Sequence, residues 1–196
     1  MTEIKIRDAK IDDAANILKI YAYYVENTAI TFELTTPTLE EFTSRIFQTL
    51  ENYPYLVAEF DGKIIGYAYA GSFVGREAYK FSSELTIYLD KDFRGQNIGK
   101  KLYSELENRL KKISVKNFYA CIAYPEIEDE YLNLNSVNFH QHMGFKICGI
   151  DFSPIKGPEG NIEYLAYLSK NVAAREINFA EKINFVVDTA HEVLNS

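Results

Sequence analysis

A mixed α/β (α+β) chain, with helices flanking a mostly antiparallel central sheet and an added C-terminal helix, is predicted by three observations. Two β-rich runs, Tyr55 to Phe60 and Lys63 to Ala70, are joined by Asp61-Gly62, the strongest short-range hairpin signal. A further run, Ser82 to Leu89, leads through a glycine-containing loop into a helix-period stripe of Ile98, Leu102, Leu106 and Leu110, and then into a strand from Lys116 to Tyr124. That succession implies a right-handed crossover. Helical stripes also occupy both ends of the chain. With 196 residues, the expectation is one sizeable domain over residues 1–170 and an amphipathic helical extension over 171–196.

Taken in order, Ile4 to Arg7 reads as a short strand, and Asp8 and Asp12 are candidate caps for the first helix. Ile17, Leu18, Tyr21 and Val25 fall at helical spacing and predict that helix from Ala14 to Asn27. Thr31-Phe32-Glu33 favours β structure but is too short for a core strand, and reads as a pocket-lining loop or short strand. Thr38 with Glu41 has capping-box spacing, so a helix starts there with Leu39, Phe42, Ile46 and Leu50 as its buried stripe. The connection from Gly71 to Lys80 is long enough to carry function.

Beyond the crossover, Glu126, Glu128, Asp129 and Glu130 make an acidic loop. The run lacks the ligand alternation and tight turn of a hard-cation site, so it reads as solvated. Asn135 to Met143 is a short helix stopped by Gly144, and Phe145 to Ile150 and Ile162 to Leu168 are strands separated by the Pro- and Gly-rich stretch 154–161. In the tail, Phe179, Ile183, Val186, Ala190 and Val193 form a stripe too apolar for water. Such a helix packs on the domain, on a partner subunit or on another protein.

A net charge of −7 argues against a nucleic-acid partner. The local basic spot of Lys91, Arg94, Lys100 and Lys101 suits a small phosphorylated ligand instead. Cys121 and Cys148 both sit in apolar runs and read as buried, reduced thiols, with neither a disulfide nor a metal framework. No h-region opens the chain and no apolar run approaches ~18 residues, so the expectation is a cytoplasmic protein without a membrane partner.

The chemistry concentrates between Glu84 and Lys101. A strand, a turn and a glycine-containing loop opening into a helix aim several backbone N–H groups at one point, which suits an anion. Arg94-Gly95-Gln96-Asn97-Ile98-Gly99 resembles the pyrophosphate loop of the GNAT family of acyl-CoA-dependent N-acyltransferases, with Asn97 where glycine is usual. Asn is the best non-glycine residue for a left-handed position. Thr31-Phe32-Glu33, Tyr53 to Glu59, Gly66 to Ala70, Arg76 to Tyr79, Glu84 with Ile87-Tyr88, and Asn133 through His140 to Gly144-Phe145 resemble, in order, the phosphinothricin acetyltransferase-like branch.

The resemblance implies a GNAT fold and transfer of an acetyl group from acetyl-CoA to the amine of a small molecule, amino-acid-like acceptors included, with no metal. It implies that Ile87, Tyr88 and Leu89 pair with pantetheine, that Gly95, Gln96, Asn97, Ile98, Gly99 and Lys100 hold the pyrophosphate beside Arg94, and that Asn133 and Ser136 contact the cofactor. Glu84 matches the general base and His140 a residue of the catalytic or thiol side. Phe32, Glu33, Arg76 and Tyr79 would line the acceptor pocket, and relatives of this branch are commonly homodimers. After Gly149 the match runs out, since the branch's Trp-containing closing strand is absent from a chain with no Trp. Other readings stay open: an acyl-CoA-binding sensor, or a protein-interaction module on the same scaffold.

Overall fold

The computed structural model describes residues 3–31, 33–75, 77–125, 127–153, 164–170 and 179–194. In chain order the elements are β1 (Lys5–Asp8), α1 (Ala14–Asn27), α2 (Leu39–Leu50), β2 (Tyr55–Phe60), β3 (Lys63–Ser72), β4 (Ser82–Leu89), α3 (Ile98–Lys112), β5 (Asn117–Tyr124), α4 (Asn135–His142), β6 (Lys146–Phe152), β7 (Tyr164–Lys170) and α5 (Phe179–Leu194). This is the predicted mixed architecture of helices with a mostly antiparallel set of strands. Two compact units are present: Met1–Glu26 with Thr35–Phe118, and Asn27–Leu34 with Tyr119–Ser196.

In the first unit β1, β2, β3 and β4 lie side by side in that order, every pair antiparallel. The β2/β3 turn places Asp61 at φ 49° and Gly62 at φ 74°, the two left-handed positions that a tight hairpin turn requires. The tyrosine-rich composition is explained on one sheet face. Tyr55 stacks on Tyr69 at 4.8 Å, Tyr67 on Tyr88 at 5.5 Å, and α1 closes over Tyr88 with Tyr24 at 5.0 Å and Tyr21 at 5.3 Å. From α2, Phe42 stacks on Tyr21 at 5.5 Å. Along α3, Ile98, Leu102, Leu106 and Leu110 are all fully buried. Each contributes roughly 1.5–3 kcal/mol relative to exposure.

Local chemistry sets the helix starts. The Thr38–Glu41 capping box forms, with Glu41 N–H donating to Thr38 Oγ1 at 3.2 Å and Thr38 N–H to Glu41 Oε2 at 3.2 Å. Before α1, neither Asp8 nor Asp12 takes the cap. Asp13 does so by reaching back to Lys10 N–H at 2.7 Å, while Asp8 pairs with Arg109. Arg7 binds Asp13 and Glu59, each at 2.7 Å, and so ties β1 to β2 and to the turn before α1. Leu39 is exposed rather than part of the buried stripe of α2, because it occupies the first helical position, ahead of the turn that meets the sheet.

In the second unit the strand order is β5, β7, β6, with β6 and β7 antiparallel. Both α4 and α5 lie against β6. Gly144, at φ 88°, ends α4 and turns the chain into β6. On α5, Val186 and Ala190 are buried, whereas Phe185 and Val193 are exposed. Cys121 is exposed and Cys148 only half-buried, against the expectation of buried thiols. An apolar run does not say which face a residue takes: Ala120 and Ile122 point inward, so Cys121 between them points out. The acidic loop folds on itself, with Asp129 Oδ1 accepting from Tyr131 N–H at 2.8 Å and Leu132 N–H at 2.7 Å, and Glu128 accepting from Leu134 N–H at 2.9 Å. Among the described residues no helix is long and apolar enough to cross a membrane.

Candidate active site

Glu84 lies on β4 opposite Gly71 of β3. Its carboxylate is half-buried and makes no hydrogen bond or ion pair among the described residues, and burial alone pushes its pKa up. A desolvated carboxylate without a partner is a better base than a solvated one, which is what proton removal from an amine needs. Ile87, Tyr88 and Leu89 continue the same strand, paired with Ala68, Tyr67 and Gly66. At Gly66 a Cβ would meet Leu89 Cδ2 at 2.5 Å and Tyr88 O at 3.2 Å, so glycine is what lets β3 approach β4 here. Tyr24 OH donates to Leu89 O at 2.6 Å and fixes the end of the strand.

The loop after β4 has the construction of an anion seat. Gly95 sits at φ 75° and Asn97 at φ 65°, ψ 9°, so Asn97 occupies the left-handed position that its residue type tolerates. Asn97 gives no side-chain cap to α3, and the first turn of that helix carries no acidic residue. Lys100 and Lys101 stand there instead, both exposed. Uncapped N–H groups at the head of a 15-residue helix, with lysines beside them, fit a pyrophosphate. Arg94 lies over Tyr24, with its guanidinium carbon 5.1 Å from the ring centroid, and over Tyr23 at 5.9 Å. These two tyrosines of α1 were not legible as site residues, since nothing in their helical spacing distinguishes them from core.

A cleft of about 550 Å³ in the first unit is lined by Lys19, Tyr23, Lys63, Asp90 and Lys91 among others. It contains none of the predicted site residues, and the Lys63–Asp90 ion pair of 2.6 Å lies on its wall.

In the second unit His140 is 3 % exposed. Its Nδ1 lies 2.7 Å from Ser136 O, and the rings of Phe139 and Phe145 pack edge-on at 5.2 and 5.4 Å. Burial lowers its pKa to about 4, against a smaller opposing pull from the Ser136 carbonyl. The ring is therefore neutral at pH 7. Beside a carbonyl oxygen Nδ1 must carry the proton, which leaves Nε2 as the basic nitrogen. His142, by contrast, is exposed. Ser136 is half-buried, and Asn133 uses its Oδ1 to accept from Asn135 N–H at 3.0 Å at the start of α4.

Of the predicted acceptor residues, Tyr79 is 43 % exposed and packs edge-on to Phe73 at 6.1 Å in the first unit, and Glu33 is half-buried in the second. Phe32 and Arg76 lie outside the described residues. The sequence pattern did not reveal Tyr69, Gly71 and Thr86, which flank Glu84 through strand register; the Asp61-Gly62 turn signal constrains the β2/β3 register but not that of β3 with β4.

A strand bearing a half-buried carboxylate here runs into an uncapped, lysine-flanked helix start, an arrangement that suits a phosphate-bearing ligand. The family model for the acetyltransferase (GNAT) domain matches residues 6–156, and the chain belongs to the GNAT family of acyl-CoA-dependent N-acetyltransferases. It is similar to phosphinothricin N-acetyltransferase of Streptomyces viridochromogenes, at 30% identity over 146 residues, 74% of this chain and 76% of that one. It is also similar to the L-methionine sulfoximine/L-methionine sulfone acetyltransferase of Pseudomonas aeruginosa, at 32% identity over 149 residues, covering 74% and 81%. Among solved structures, a phosphinothricin acetyltransferase from Sinorhizobium meliloti in complex with AcCoA matches with a TM-score of 0.75 and 34% identity, over 85% of this chain and 87% of that one.

Proposed function

We propose that the chain transfers an acetyl group from acetyl-CoA to the amine of a small, amino-acid-like acceptor, with Glu84 as the general base. The observation that carries this reading is the half-buried Glu84 carboxylate, which makes no hydrogen bond or ion pair among the described residues and is raised in pKa by burial. Relatives whose acceptors are phosphinothricin and methionine sulfoximine support the acceptor class. Acetyl-CoA supplies an activated thioester.

The residues of this chain divide the remaining work. Backbone N–H groups of Gly95 to Lys100, beside Arg94, hold the pyrophosphate, and Ile87 to Leu89 align the pantetheine arm. Glu84 takes a proton from the acceptor's ammonium, directly or through water, so that its nitrogen is free to attack the acetyl carbon; as the carbon–sulfur bond breaks the sulfur leaves with the bonding pair as thiolate, and the excess proton on the acylated nitrogen passes to it, directly or through water, giving the amide and free CoA thiol. Asn133 and Ser136 are assigned to the cofactor. His140 is assigned to the catalytic or thiol side, with a ring that is neutral at pH 7 and held by Nδ1 against the Ser136 carbonyl. Phe32, Glu33, Arg76 and Tyr79 are assigned to the acceptor.

A thiol-release assay across amino acids and simple amines tests this reading. Acetyl-CoA turnover that collapses in Glu84→Gln is expected, and full turnover in that variant removes Glu84 from the mechanism. Residues 1–170 are proposed as the catalytic domain and 171–196 as an extension, in keeping with a family match that ends at residue 156. We also propose a cytoplasmic homodimer, with the exposed Phe185 and Val193 of α5 toward the second copy. Light scattering of the full chain and of a chain lacking 172–196 checks this, and equal masses at the monomer value refute the dimer.

A further inference from the structure

Across the β3/β4 ladder Gly71 stands opposite Glu84, Tyr69 opposite Thr86 and Tyr67 opposite Tyr88, so these six positions share one sheet face. Ring contacts agree, with Tyr67 at 5.5 Å from Tyr88 and Tyr69 at 4.8 Å from Tyr55. Rings fill this face along its length until the carboxylate is reached. There the filling stops, because Gly71 has no side chain and Thr86 is small. A Cβ built on Gly71 meets no atom of the described residues within 4 Å, so among them the space beside Glu84 is open. Tyr69, two residues along the strand, walls it with a ring that Tyr55 backs in near-parallel stacking at 11°.

Gly71 is not needed for its backbone. Among the described residues the left-handed glycines are Gly62, Gly95 and Gly144, and Gly71, which is not one of them, sits in regular antiparallel pairing. A glycine inside a strand is disfavoured relative to Ala, because it loses more conformational freedom on folding and has no side chain to pack. A residue that conformation does not require and strand stability disfavours is accounted for by the room it leaves.

Building on the assignment of Glu84 as the base, we propose that Gly71 determines acceptor specificity: the space it leaves beside Glu84, walled by Tyr69, holds an apolar or planar substituent on the carbon next to the acceptor's amine. Amine and substituent are then recognised together, the first by the carboxylate and the second by the ring wall.

The test measures kcat/KM with acetyl-CoA for glycine, alanine, leucine and phenylalanine in the wild type, Gly71→Ala and Gly71→Val. The ratio of leucine or phenylalanine to glycine is expected to fall at least tenfold in Gly71→Val, with Gly71→Ala between. Melting temperature is not expected to fall, since valine is a strong strand former and its Cβ meets no atom of the described residues. Ligand-observed NMR of leucine and phenylalanine with both proteins gives the same comparison without turnover. An equal loss for every acceptor, an unchanged ratio, or no binding of any acceptor to the wild type overturns the proposal. If Glu84→Gln keeps full turnover while Gly71→Val still shifts the ratio, the base assignment falls and the specificity assignment stands.

Discussion

Glu84 and His140 are both pushed by burial toward their neutral forms, yet their surroundings differ in kind. Among the described residues Glu84 sits on a strand with open space at its side and no hydrogen-bond partner, and desolvation is the whole cause of its shift. His140 is held by the Ser136 carbonyl and clamped between two phenylalanine rings, and its basicity is cut to a pKa of about 4. The same physical effect therefore strengthens a base in one unit and weakens one in the other.

The sharpest way to break the comparison is to remove the carboxylate. Glu84→Gln is expected to lower kcat by about 10²–10⁴, the usual worth of a positioned general base, while calorimetric affinity for acetyl-CoA holds. In the wild type the acid limb of kcat/KM lies above the ordinary Glu range, because burial raises the carboxyl, and that limb vanishes in the variant. A limb that survives Glu84→Gln belongs to another group.

For His140 the expected signature is in stability. Its folded pKa of about 4 lies below the unfolded 6.5, so as pH falls the unfolded chain takes the proton first. The contribution is fully present above pH 6.5 and is lost as pH drops to 4, a change of about 3 kcal/mol. Urea unfolding of the wild type and His140→Asn between pH 7.5 and 4.5 reads it. The variant's stability should fall less steeply, by up to one proton, and equal slopes would show that the ring titrates in the fold as it does in the open chain.

The loop comes next in size. Holding a side-chain-bearing residue in the left-handed region costs roughly 1–2 kcal/mol, which Asn97 partly avoids. Asn97→Val is expected to weaken acetyl-CoA binding by about tenfold, and Asn97→Gly to bind at least as well as the wild type. Calorimetry with acetyl-CoA decides, and equal affinities in all three mean that the loop does not carry the pyrophosphate.

Legibility in the sequence tracked the range of the interactions. Helices α1 and α2, the Asp61-Gly62 hairpin and β4 were readable because period, cap and turn chemistry act within a few residues. The Arg94–Gly99 loop was readable for the same reason, down to the left-handed Asn97. What escaped depends on partners distant in sequence: the capping role of Asp13, shared with Arg7 and Lys10, the outward face of Cys121, the tyrosines beneath Arg94, and Gly71 opposite Glu84. Strand register places Gly71 and Glu84 side by side across thirteen positions of sequence, and no local pattern encodes it.

The smallest effect expected runs against intuition, since it gains stability where activity is lost. Between the ordinary carboxyl range and the raised value of Glu84, the folded protein binds a proton that the unfolded chain has released, so stability falls as pH rises through that window. Below it the protonated acid and glutamine are close in shape and charge. Above it the wild type carries the full cost of an ionised, half-buried carboxylate and Glu84→Gln does not. The melting temperature of Glu84→Gln should therefore match the wild type near pH 4 and exceed it slightly at pH 7 to 8. A difference that does not grow with pH would mean that the carboxylate finds a partner in solution, and with it the contrast between a base kept alone and a histidine kept clamped would disappear.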